Sequence, residues 1–492
     1  MIRILGGEKR LCDGLTRRDL LQVGALGLLG LKTSAKAAPV AASSSFGRAK
    51  SCILLYLYGA PSQIETFDPK PKAPKEIRGD FNSISTVVPG LDVCEHLPLL
   101  AKVMNKASVI RSVSHAYPVH GVAYALTGNP RIELAMELNP RDANHWPFIG
   151  SVVDYVDGRH EVGASREVPR NLGMPWAFSS KRVGEVARAG PYGGFLGPGF
   201  DPVWTEFHGA GTVKSKKTLP PQEWNDLEPY RGITRESAFR LGSIDAHEPG
   251  LTLDRLNTRR TLLEQLEASR PDLDRVLEKT ATADRGREMA YSLIRSDTLR
   301  NAFDIDRETA ETRDLYGMTL FGQAALTARR LVEAGGRFIS VFWDEYGLAG
   351  TGWDTHWDHH PRMKDELLPG LDRTLSGLLI DLDRRGLLDE TLVMVLSEHG
   401  RTPKITSGQG GGRDHWSRCY SAVLAGGGIR RGEVLGRSDS IASDPAERPV
   451  SPKDILATAY HLLGIDPATE LVDRQGRPLG LAPGGEILTE LL

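Results

Sequence analysis

The run SCILLYLY at residues 51–58, closed by Gly59 and Pro61, decides the fold. Its apolar residues are continuous and span the length of a strand, so it reads as a buried strand that ends in a loop. Working outward, ASVIRSV (107–113), RFISVFW (337–343), TLVMVLS (391–397) and RCYSAVLAG (418–426) are further strands. A helix is expected around 97–105. The stretches 318–334 and 363–385 carry apolar residues at three- and four-residue spacing, with Gly386 as the stop of the second. Strands separated by helices predict an α/β fold, a largely parallel central sheet flanked by helices on both faces. Ligands of such sheets sit beyond the carboxyl ends of the strands.

Two regions interrupt this rhythm within a domain expected to span 50–490. Residues 186–235 are rich in Gly, Pro and aromatics and read as a loop-rich surface excursion. Residues 250–310 interleave arginine with acid and read as a helical insertion with a solvated face. The whole chain has 492 residues, 40% of them hydrophobic and 25% charged, enough for a large core. Its formal net charge of -2 supplies no basic field for nucleic acid and no acidic excess for disorder.

The N-terminus reads as an export signal over 1–37. Lys9, Arg10, Arg17 and Arg18 precede the apolar run 20–31, and Ala35-Lys36-Ala37 offers a small-x-small cleavage pattern. That run falls short of the roughly 20 apolar residues a bilayer core requires, so no stable membrane span is expected. TRRDLLQVGALG (16–27) resembles the twin-arginine signal, which implies a periplasmic or extracellular protein exported already folded. Removal of the signal takes Cys12 and leaves Cys52, Cys94 and Cys419, with no CxxC pair for a thiolate zinc site.

Three polar clusters fall at the ends of these strands. GWDTHWDHH (352–360) follows the strand at 337–343, SEHGRTPK (397–404) begins where 391–397 ends, and GGGRDHW (410–416) precedes 418–426. At least two of them therefore lie beyond carboxyl strand ends. Histidine mixed with carboxylate suits zinc, manganese or iron, whereas oxygen-only clusters suit calcium or magnesium.

The order of GAPSQIETFDPKP (59–71), HGVAYALTG (120–128), YGMTLFGQAALTARRLVEAGGRFISV (316–341), GWDTH, SEHGRTPK, GRDHW and PKDILATAYHLLGID (452–466) resembles the bacterial family of domain of unknown function 1501. Its members are similar to sulfatases and belong with the alkaline phosphatase superfamily. The resemblance implies an alkaline phosphatase/sulfatase-like fold and metal-assisted hydrolysis of a phosphate or sulfate ester, on a small-molecule or polysaccharide substrate. It also implies a divalent metal ion, zinc or manganese, one or two per chain, held by Asp354, His356, Glu398, His399 and His415. Arg401 and Arg413 flank two of the clusters and have the donor geometry to bind an oxyanion.

The sequence departs from the superfamily where an aspartate follows the first strand: here stand Tyr58 to Ser62, and the nearest acids are Glu65 and Asp68. In place of a recognisable nucleophile, Ser114, His115 and His120 are the nearby candidates. Two other functions stay open. One is a metal-containing envelope binding protein without catalysis. The other is a metallo-β-lactamase-like hydrolase, since 354–359 resembles HxHxDH with aspartate first; Asp358 and His359 would then be ligands.

Overall fold

Ser51–Leu57 (β1) is buried at every position, as its unbroken apolar run requires. Its side chains divide by parity between two cores. Ile53, Leu55 and Leu57 pack with the buried faces of two long helices, while Cys52, Leu54 and Tyr56 pack on the opposite face. A period of two residues therefore puts one strand into both halves of the core.

The computed structural model describes residues 45–116, 121–129, 134–160, 166–183, 187–219, 222–241, 296–348, 350 and 352–492. The stretch 1–37 read as a signal, His120 and most of the stretch 250–310 read as an insertion lie outside the described residues. Among those described, β1 is joined in one nine-stranded sheet by Ala107–Val113 (β2), Asn171–Met174 (β3), Val203–His208 (β4), Ala238–Leu241 (β5), Phe338–Trp343 (β6), Thr391–Leu396 (β7), Tyr420–Ala425 (β8) and Val434–Leu435 (β9). The spatial order is β5-β4-β3-β6-β1-β7-β8-β2-β9. The fold is thus mixed α/β around a large central sheet. β1 lies parallel between β6 and β7, with Tyr56 opposite both Phe342 and Leu396.

β5 and β8 run against the rest, since each pairs antiparallel with its neighbours. The reversal of β8 matters most. Its amino end lies at the same sheet edge as the carboxyl ends of β1, β6 and β7, so the cluster that precedes it joins the two that follow them. The stretch 186–235 also contributes more structure than its composition announced. It supplies β4 and a long hairpin of Gly211–Leu219 with Gln222–Ile233.

Helices Ile149–His160 (α1), Leu320–Glu333 (α2), Leu368–Arg384 (α3) and Pro452–Leu462 (α4) cover the two faces. No helix among the described residues is long and apolar enough to cross a membrane. Cys52, Cys94 and Cys419 are free and buried. α4 begins with a capping box in which Ser451 accepts from the Asp454 N–H and Asp454 accepts from the Ser451 N–H. Replacing Ser451 by alanine leaves one of these orphan donors unmet and is expected to lower stability by about 1 kcal/mol. Urea unfolding of the variant checks this.

Candidate metal centre

Four loops meet at the carboxyl edge of the sheet. The turn after β1 is held against the loop after β6 through the Trp353 N–H, which donates to the Tyr58 carbonyl at 3.0 Å. Gly59 permits this approach: its φ is 93°, and a Cβ there would stand 2.3 Å from the Asp354 nitrogen. The loop after β7 pairs antiparallel with the segment before β8, Arg401 opposite His415. Residues far apart in sequence are thereby brought onto one small surface.

Asp354, His356 and His415 converge. The Asp354 Oδ1 lies 3.0 Å from His356 Nε2 and 3.3 Å from His415 Nε2, and the two imidazole nitrogens are 3.1 Å apart. Ligands set tetrahedrally around an ion at about 2.0–2.1 Å are themselves about 3.3 Å apart, so the triangle has the edge length of a zinc-type site. His356 Nδ1 donates to Asp414 Oδ1 at 2.7 Å, because a carboxylate only accepts, and in the neutral ring this leaves a lone pair on Nε2. A carboxylate behind a ligating histidine is the usual way its tautomer and orientation are fixed. Without an ion, a proton answers the same need. Burial pulls the His356 pKa down, but Asp354 and Asp414 outweigh it and the net shift is upward. The His356 and His415 side chains remain 29% and 22% exposed, so solutes reach the triangle from solvent.

Glu398 and His399 border this group without joining it as closely. Glu398 Oε1 accepts from the Gly59 N–H at 2.8 Å, and its carboxylate lies beside Tyr56, whose hydroxyl burial and that charge hold well above the usual range. His399 Nδ1 donates to the Gly400 carbonyl at 2.7 Å, which makes Nε2 its acceptor nitrogen, and its ring centroid is 4.5 Å from that of His415.

Both arginines are fully buried and engaged internally. Arg401 donates to the carbonyls of Ala60 and Arg413, each at 3.1 Å, to the Gly59 carbonyl and to Asp354 Oδ1. Arg413 donates to the carbonyls of Ile77 at 2.7 Å, Thr402 at 3.0 Å and Pro403, and to Glu65 Oε1. The sequence reading offered them as oxyanion donors; the structure spends their guanidinium forks on holding loops. Arg401 and an ion would share Asp354 Oδ1.

Ser114 follows β2, and its N–H is bonded to the Val450 carbonyl at 2.8 Å. His115 beside it donates from Nε2 to the Glu398 carbonyl at 2.8 Å. Asp358 adopts a left-handed conformation and exchanges contacts with Gln409, while His359 turns to Glu65. Asp358 and His359 therefore face away from His356, and the lactamase-like pattern does not converge. Sequence reasoning missed Asp414, Gly59 and Gln63, whose amide bonds both the N–H and the carbonyl of Arg401. Only Asp414 carried a signal, as a carboxylate next to His415.

A second group lies behind the first: Glu65, His359 and His360, with ligand atoms all within 4.8 Å of one another. His359 Nε2 is 3.2 Å from Glu65 Oε2, and its Nδ1 is 2.7 Å from Thr355 Oγ1. Burial pushes the His359 pKa down from 6.5 to about 4 against the pull of Glu65. The folded chain thus binds fewer protons here than the unfolded chain between those values. The stability contributed is whole above about pH 6.5 and is lost as the pH falls towards about 4, on the order of 3 kcal/mol. Urea midpoints of chelator-treated protein should fall more steeply over that window in the wild type than in His359→Asn, which has no group titrating there. Parallel profiles would contradict this.

The family model described as Protein of unknown function (DUF1501) matches residues 49–492. No curated protein matches the chain. Among solved structures, a sulfatase from Pseudoalteromonas sp. is 12% identical, with 85% of this chain and 68% of that one covered at a TM-score of 0.36. A lipoteichoic acid synthase from Listeria monocytogenes is 10% identical, covering 86% and 74% at 0.33. A phosphonate monoester hydrolase from Silicibacter pomeroyi is 10% identical, covering 89% and 76% at 0.32.

Proposed function

This chain belongs to the DUF1501 family, and from that premise we propose that it is an exported, metal-dependent hydrolase of phosphate or sulfate esters. The observation that carries the reading is the triangle of Asp354 Oδ1, His356 Nε2 and His415 Nε2, with edges of 3.0, 3.3 and 3.1 Å. Two imidazoles and a carboxylate are a donor set for zinc or manganese. Such an ion, when bound, polarises an ester oxygen and acidifies water. Glu398 and His399 border the triangle and are further ligand candidates for the same ion.

The chain's own residues do the positioning. Asp414 fixes the His356 tautomer, Arg401 holds Asp354 against the turn after β1, and Glu398 is anchored by the Gly59 N–H. In this reading the attacking or proton-transferring group is Ser114, the residue after β2, or His120. The substrate is a phosphate or sulfate ester of a small molecule or polysaccharide, reached outside the cytoplasm through the signal at 1–37.

Turnover of aryl phosphates, phosphodiesters and aryl sulfates by zinc- or manganese-loaded protein tests the reading. The rate should rise through neutral pH, following an ionisation near about 7. A folded, metal-loaded chain that turns over none of them, yet retains a sulfated or phosphorylated polymer, would make it a binding protein instead.

A further inference from the structure

The group of Glu65, His359 and His360 is not used by the proposed reaction, and its chemistry is that of a ligand set. His359 and Glu65 are 0% and 1% exposed, and neither His359 Nε2 nor Glu65 Oε2 has a hydrogen-bond partner of good geometry although they face each other at 3.2 Å. His360 Nε2 accepts from the Asp80 N–H at 3.3 Å, which makes it a lone-pair nitrogen, and it lies 3.5 Å from Glu65 Oε1. Carboxylate oxygens and imidazole nitrogens crowded in a buried place are costly unless a proton or a cation stands among them. Arg413 supplies part of that charge through Glu65 Oε1. The backbone also closes on the group. At Gly79, with φ of 70°, a Cβ would stand 2.4 Å from His360 Nε2 and 2.9 Å from Glu65 Oε1.

We propose that Glu65, His359 and His360 form a second, structural cation site for a divalent first-row ion of the zinc class. Two imidazole nitrogens and one carboxylate match that class in softness, and Thr355 Oγ1 on His359 Nδ1 and Arg413 on Glu65 orient the ligands from behind. The site ties the segment after β1, which carries Glu65, to the loop that carries Asp354 and His356. Thr355 lies between those two residues, and the Arg413 carbonyl receives the Arg401 guanidinium that holds Asp354. An ion here therefore braces the first site from behind.

The test separates the two sites. Chelator-stripped protein carrying His356→Ala and His415→Ala should still take up about one Co²⁺ per chain, since a formed site binds tightly, and adding His360→Ala should abolish that uptake. No Co²⁺ bound before the third substitution, or unchanged uptake after it, overturns the proposal. Crystals of the wild-type chain soaked in Zn²⁺ give a result independent of how the variants fold. An anomalous peak between Glu65, His359 and His360 is expected, and its absence overturns the proposal even if the Asp354 site is filled.

Discussion

Replacing Arg401 by methionine is expected to lower the stability of the metal-free chain by about 3–5 kcal/mol, the cost of removing one partner of a buried ion pair. The side chain is fully buried, so no water takes its place. Asp354 would lose its guanidinium, and the carbonyls of Gly59, Ala60 and Arg413 would lose donors. An ion at Asp354 restores part of the missing positive charge. Zinc should therefore raise the thermal midpoint of Arg401→Met more than that of the wild type, because ligand binding to the folded state stabilises it by linkage. Equal shifts in both proteins would mean that Arg401 and the ion do not share Asp354 Oδ1.

Substituting His415 by alanine removes one corner of the triangle and is expected to reduce ester hydrolysis by about 10³-fold, the effect of losing several kcal/mol of charge stabilisation in the transition state. Asp414→Asn touches no ligand atom of the ion and should act differently. It weakens the hold on the His356 tautomer and should reduce metal affinity by about 10–100-fold, with the rate recovering at saturating metal. Rates measured across a zinc titration separate the two variants. The proton competes with the ion at His356, whose pKa is raised, so apparent metal affinity should fall as pH drops through that ionisation.

Much of this fold is written locally. Largely apolar runs gave β1, β6 and β7 because central strands buried on both faces need no alternation, and β2 and β8 stayed legible despite Arg111 and Ser421. Strand direction is not written that way. Nothing in YSAVLA says that β8 runs against its neighbours, although that reversal brings His415 to Asp354. β4 stayed hidden within Gly- and Pro-rich surroundings because its sequence, VWTEFH, becomes a strand only by pairing with β3 and β5.

The site was legible as a set of residue types at strand ends, and less so as contacts. Arg401 and Arg413 look like surface or substrate-binding residues in the sequence, and only tertiary packing turns their donors inward. The histidines of GWDTHWDHH divide between two groups because the chain turns at Asp358, with φ of 47°. His356 faces the loops after β7, and His359 faces Glu65, nearly 300 residues earlier. No local spacing rule anticipates that division.

The most direct measurement is elemental metal content, taken on natively purified wild-type chain and on the His356→Ala, His415→Ala double variant after both are shown to be folded. The Asp354, His356 and His415 triangle predicts that the wild type exceeds the variant by about one transition-metal ion per chain, because a formed site of this kind holds its ion through purification. Equal content in the two proteins, or less than about 0.2 ion per wild-type chain, would contradict it.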